Sequence, residues 1–129
     1  MTMNCNEARN MIKSYIEAYN SFEIEKMVEL LHKDIVFRNI SNGETTAETS
    51  GIQAFKELAE QSSTMFSSRS QTITEYRIID DKVEVDIDYE GIVAADFPNG
   101  LKRRDKLQLK GKSTFKMKEG KISLIEDYS

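Results

Sequence analysis

Between Glu7 and Tyr19 the apolar positions Ala8, Met11, Ile12, Tyr15, Ile16 and Tyr19 recur at helical spacing, with Arg9, Lys13 and Glu17 opposite them. That spacing predicts an amphipathic helix with one face turned to a core. Asn20 and Ser21 interrupt it, and Ile24, Met27, Val28 and Leu31 mark a second, short helix packed at an angle to the first. Ile35 to Ile40 is β-branched and aromatic except for Arg38 and Asn39, the pattern of a mostly buried strand. The polar stretch from Ser41 to Thr49 reads as a loop or a weak edge strand on the rim of a pocket. Ser50, with Gln53 three residues on, reads as a capping box that opens a third helix, whose buried stripe is Ile52, Phe55, Leu58, Ala59 and Met65.

The remaining chain alternates with the period of a strand. Thr72 to Ile79, Lys82 to Val93, Lys106 to Met117 and Lys121 to Tyr128 are expected strands, separated by Asp80-Asp81, Pro98-Asn99-Gly100 and Glu119-Gly120. Connections this short make them antiparallel neighbours. In the second of them Val83, Val85, Ile87 and Tyr89 share one face and Glu84, Asp86, Asp88 and Glu90 the other; its partner sets Leu107, Leu109, Phe115 and Met117 against Lys106, Lys110, Lys112 and Lys116. The acidic stripe therefore faces a basic one, and cross-strand pairing on a solvated surface accounts for it without a metal. Within the apolar face, Gly111 and Ser113 are small where large side chains are expected. They leave room for a cavity, or mark a bulge or a close approach of the first helix.

Composition narrows the function classes. The 129 residues suit a single α+β domain, 1–129, with a core of its own, and one Pro and six Gly exclude disordered or repeat compositions. A net charge of −4 disfavours nucleic acid and anionic membrane as partners. Met1-Thr2-Met3-Asn4-Cys5-Asn6 has neither a basic flank nor an apolar run, so no leader or spanning segment is expected and the protein is placed in the cytoplasm. The lone Cys5 agrees with a reducing compartment.

One histidine and one cysteine allow neither a histidine-rich metal site nor a Cys-His nucleophile. His32, after Leu30-Leu31, is expected to cap the second helix, where imidazole suits the last carbonyls. Lys102-Arg103-Arg104 beside Asp105 reads as a solvated loop.

The order helix, short helix, strand, polar segment, helix and four strands, with Tyr15-Ile16-Glu17-Ala18-Tyr19-Asn20, Gly51, Pro98-Asn99-Gly100, Gly120-Lys121-Ile122 and Asp127-Tyr128 at their places in it, resembles the nuclear transport factor 2-like superfamily. The nearest likeness is to the SnoaL-like polyketide cyclases and the ketosteroid isomerase relatives. The resemblance covers essentially the whole chain and implies a cone-shaped fold, a strongly curved antiparallel sheet wrapped around three helices. It also implies homodimers.

By the same resemblance Tyr15 is similar to the isomerase tyrosine that hydrogen-bonds the substrate oxygen. The isomerase's general-base aspartate is replaced by Asn39, and its oxyanion-hole aspartate falls at about Ser113. An amide does not remove a proton at neutral pH, so Asn39 is expected to orient a substrate carbonyl. In the cyclase branch an aspartate on the last strand is the acid/base, and Asp127 resembles it. Alternation leaves open whether Asp127 points inward or into solvent, because Ile122 and Leu124 make the opposite face apolar too.

The expectation is a cofactor-independent acid/base enzyme of isomerase, cyclase or dehydratase type. It would act on a small, largely apolar carbonyl compound, with Asp127 and Tyr15 catalytic, no metal, and Phe37, Asn39, Phe55, Met65, Gly111 and Ser113 lining the pocket. The alternative is a non-catalytic ligand-binding or dimeric scaffold module of the same fold.

Overall fold

The first helix, α1 (Cys5–Asn20), turns sharply at Ser21 and Phe22 into α2 (Ile24–Glu29). Asn20 ties the end of α1 to the sheet: its side-chain amide donates to the Gln71 carbonyl at 3.1 Å and its side-chain oxygen accepts from the Gln71 N–H at 2.8 Å. The chain continues through β1 (Leu31–Ser41), β2 (Glu44–Ser50), α3 (Ile52–Ser63) and four further strands, β3 (Phe66–Ile79), β4 (Lys82–Val93), β5 (Lys106–Lys118) and β6 (Lys121–Tyr128). This computed structural model describes residues 5–97 and 100–129; the expected turn at Pro98-Asn99 and the terminal Met1 to Asn4 lie outside them. No helix among the described residues is long and apolar enough to cross a membrane.

The strands form one curved sheet in the order β2-β1-β6-β5-β4-β3. Every neighbouring pair is antiparallel except β1 and β6, which run parallel, so the last strand is inserted beside the first. The α-helices cover one face. Ile12 and Ile16 of α1, Met27 of α2 and Phe55 of α3 pack there against Ile35, Val85, Phe115 and Ile125 of the sheet, all of them buried. Alternation explains the opposite face: Glu48, Arg38, Glu126, Thr114, Glu84 and Arg77 lie in register on one row across all six strands. Arg38 pairs with Glu48 and Glu126, and Arg77 with Glu84 and Asp86. The acidic stripe of β4 meets the β5 lysines as expected, through Lys106–Glu90, Lys110–Asp88 and Lys112–Glu84. It also meets Arg77 of β3, which the hairpin pattern alone does not reveal.

Several local expectations change. The polar stretch after β1 is a tight turn at Asn42-Gly43, both at positive φ, followed by a true edge strand. Ser50 does not cap α3, because its backbone is still paired with Val36. Gly51, at φ 87°, takes the N-cap position, and Gln53 donates instead to Glu57 at 3.1 Å. Met65 lies beyond the end of α3 and is 39% exposed, outside the helix's buried stripe.

His32 is not a helix cap. The chain has already entered β1 at Leu31, which pairs with Ile122, and the last α2 carbonyls are taken by others: Lys121 Nζ donates to Glu29 O at 2.6 Å and the Ile122 N–H to Leu30 O at 3.0 Å. His32 is buried, with Nδ1 accepting the Asp34 N–H at 3.0 Å, so the ring proton is on Nε2, 3.6 Å from Glu119. Its replacement by Ala removes an acceptor and opens a void. We expect a loss of about 2 kcal/mol in urea unfolding, with ligand affinity unchanged because His32 does not line the cavity described next. A fall in affinity without a fall in stability would contradict this placement.

Candidate active site

Between the helices and the concave face of the sheet lies a cavity of about 460 Å³, within the size range of small-molecule sites. Local sequence explains its walls. The helical period turns Tyr15 and Tyr19 of α1 inward, and α3 contributes Phe55. Phe37 and Asn39 share the inner face of β1 with Ile35, two and four residues back along the strand. Aromatic rings build one wall: Phe55 stands edge-on to Phe37 at 5.9 Å, and Tyr15 edge-on to Phe115 at 6.0 Å.

The polar centre is a row across three strands. Asn39 of β1 is in register with Asp127 of β6, and Asp127 with Ser113 of β5. Adjacent strands are about 4.8 Å apart, so the row spans about 10 Å. Ser113 is buried and its hydroxyl donates to Asp127 Oδ1 at 2.6 Å. Burial pushes the Asp127 carboxyl up to about 6, and the Ser113 bond opposes that rise only in part. The Tyr15 phenol is held well above its ordinary value, first by burial and then by the nearby Asp127 charge, so it is a proton-bearing donor at neutral pH. On the far side of Asn39 its side-chain amide donates to Thr46 Oγ1 at 2.9 Å, which fixes it on the edge strand.

Gly111 lines the same cavity, yet a Cβ there would sit 2.8 Å from the Tyr128 carbonyl oxygen. Space is left, but neither a bulge nor the first helix accounts for Gly111: the close approach comes from the end of β6. Among the described residues no group of three His, Cys, Asp or Glu is arranged to hold a metal ion.

A model of the SnoaL-like domain matches residues 12–125, nearly the full length of the fold just described. The chain belongs to the SnoaL-like family. Solved structures agree in fold over almost the whole SnoaL-like domain. A protein from Xanthomonas campestris pv. campestris assigned as a polyketide cyclase superposes with a TM-score of 0.76 at 19% identity, over 98% of this chain and 93% of that one. A protein of ketosteroid isomerase-like fold from Catenulispora acidiphila gives 0.74 at 14% identity, over 92% and 84%. An epoxide hydrolase of M. tuberculosis gives 0.74 at 16%, over 95% and 82%. No curated protein sequence matches the chain.

Within this SnoaL-like domain the cavity brings together Tyr15, Phe37, Asn39, Phe55, Gly111, Ser113 and Asp127, and leaves out Met65. Sequence reasoning missed Arg69, Gln71 and Tyr89, which close the opposite end of the cavity. β3 begins at Phe66, six residues before the expected strand, and Arg69 and Gln71 of that extension alternate inward in phase with Ile73 of the expected strand. That alternation was the available signal. Among serines and threonines it lacked the apolar residues that mark a strand.

Proposed function

We propose that this SnoaL-like domain is a cofactor-independent acid/base enzyme that moves a proton α to the carbonyl of a small, largely apolar compound. The observation that carries this reading is the Asp127 carboxyl, enclosed in an aromatic cavity, bonded to Ser113 and titrating at about 6. A base of that strength is ionised at neutral pH and still able to return the proton, the balance acid/base catalysis requires. The carboxylate takes the α proton, and the electron pair moves to the carbonyl oxygen. Tyr15, a neutral phenol in the same cavity, donates to that oxygen as its charge develops. Reprotonation at another carbon isomerises the compound. Attack of the enolate carbon on a second carbonyl of the same molecule closes a ring. Ser113 holds the carboxylate, and Asn39, beside it in register, orients the substrate.

The reading is tested with 1-tetralone in D₂O, following loss of the α-proton signals by NMR. Exchange should rise with pH through about 6 and level off, because only the ionised carboxylate accepts a proton. Tyr15→Phe should slow exchange by about 10²-fold while changing ketone affinity little, since its hydrogen bond strengthens only with charge on the oxygen. Wild-type exchange no faster than that of buffer would sink the catalytic reading.

A further inference from the structure

The end of the cavity opposite Asn39 holds a cation with no ion-pair partner among the described residues. Arg69 is only 5% exposed and lines the cavity. Its Nε donates to the Tyr19 carbonyl oxygen at 2.9 Å, and its guanidinium lies over the Tyr19 and Phe22 rings at 3.7 and 4.4 Å. These contacts fix the side chain but supply only a dipole and two ring faces. Among the described residues Arg69 makes no ion pair, and its Nη2 is buried with no hydrogen-bond acceptor. Asp127 is the only acidic side chain among the described residues lining the cavity, and it bonds to Ser113, not to Arg69. A buried charge left without a partner is strongly unfavourable, so the site is built for a negative group that arrives from outside.

Two phenols stand beside it. The hydroxyls of Tyr19 and Tyr89 are 3.1 Å apart and share one hydrogen bond, so of their two protons one is left to donate elsewhere. Tyr89 titrates above its ordinary range because it is buried and close to Tyr19, which keeps that proton in place.

We propose that Arg69, with the Tyr19–Tyr89 hydroxyl pair, seats a carboxylate of the substrate, which makes the substrate a keto acid: an apolar body with its carbonyl toward Asp127 and Tyr15 and an anionic end on Arg69. This rests on the acid/base reading above and narrows its substrate class. The charge pair anchors the compound far from the reacting carbon, so the α position is held at the base without spending the Asp127 carboxylate on binding.

The test compares 3-benzoylpropionate with its neutral isostere 3-benzoylpropionamide on the full chain, by titration calorimetry. The acid should bind about tenfold to hundredfold more tightly, the range of a charge-assisted pair in a dry site. Arg69→Met should abolish that preference, and Asp127→Asn should keep it. If Arg69→Met does not fold, Tyr89→Phe, which retains the ring and removes the donor, should cut the ratio severalfold. An amide that binds as tightly as the acid, binding of neither probe, or a preference that survives Arg69→Met or Tyr89→Phe would overturn the carboxylate seat. The acid/base reading stands or falls separately on 1-tetralone, which has no carboxylate. Loss of exchange there with the acid preference intact would remove catalysis and leave the anion site.

Discussion

Asp127→Asn is expected to abolish α-proton exchange and, at the same time, to make the protein more stable at neutral pH. The first effect is the loss of the base, about 10²-fold to 10⁴-fold in rate. The second follows from linkage. The folded carboxyl titrates at about 6 and an unfolded one near 3.8, so the folded state binds more protons between those values, and stability falls as pH rises through that window. The asparagine variant lacks this loss. The two proteins should be equally stable below about pH 3.5 and differ by up to about 3 kcal/mol above pH 7, the cost of moving one carboxyl by that amount. Asparagine's side-chain oxygen can still accept the Ser113 hydroxyl, so the fold is not otherwise disturbed. Urea unfolding at several pH values reads the difference directly. Equal stability of the two proteins at pH 7 would mean that Asp127 is solvated and would remove the basis of the mechanism.

Gly111→Leu should cost about 3 kcal/mol, at the upper end of what overpacking does. A leucine at a position that merely borders an empty cavity would fill it at small cost. Here the Cβ itself is obstructed, by the Tyr128 carbonyl oxygen at 2.8 Å, and backbone does not give way as a flexible side chain does. The distinguishing variant is therefore Gly111→Ala. Ala in place of a strand glycine ordinarily gains stability, but at this position it should lose most of what Leu loses, because both carry the same Cβ. The displaced end of β6 should also loosen Asp127, one residue before Tyr128, and be visible as a fall in its NMR-titrated pKa as water enters. A neutral or stabilising Gly111→Ala would show that the strand end adapts freely.

The helices and the β4–β5 hairpin were legible because each repeats a clean period with charges on one side and apolar residues on the other. The direction of Asp127 was not, and the reason is one residue. Lys116 pairs with Leu124 and Met117 with Ile122, so Ser123 is an extra residue in β6. The bulge resets the alternation, and Ile122 and Ile125, three apart, are both fully buried. With the phase reset, Asp127 follows Ile125 inward. Uniform alternation puts Asp127 on the face of Ile125 but leaves open which face is inward, because it sets Ile122 on the other. His32 failed for a different reason: the short helix ends in a strand that pairs across the sheet with Ile122, a tertiary contact that outweighs the local preference of histidine for a helix terminus. Arg69 escaped notice because a cation among serines looks like solvent-exposed chain, and only the sheet shows that its alternation points to the core.

The place of β6 has a consequence for how the protein is made. A ribosome delivers β1 and β2 early and the β3–β5 meander later, but these are two separate pieces until residues 121–128 emerge, because β6 alone hydrogen-bonds to both β1 and β5. Until then β1 and β5 each present an unpaired edge, and the apolar faces of the helices lack the strand that joins the two parts of the sheet. The pairing of Asn39 with Asp127 joins residues far apart in sequence, a closure that is slow on the scale of helix formation. The nascent chain therefore passes through a stage in which two sheet edges and an apolar face are exposed together, the stage at which chaperone binding or aggregation competes with folding. The strand that ends this stage is the one that carries Asp127.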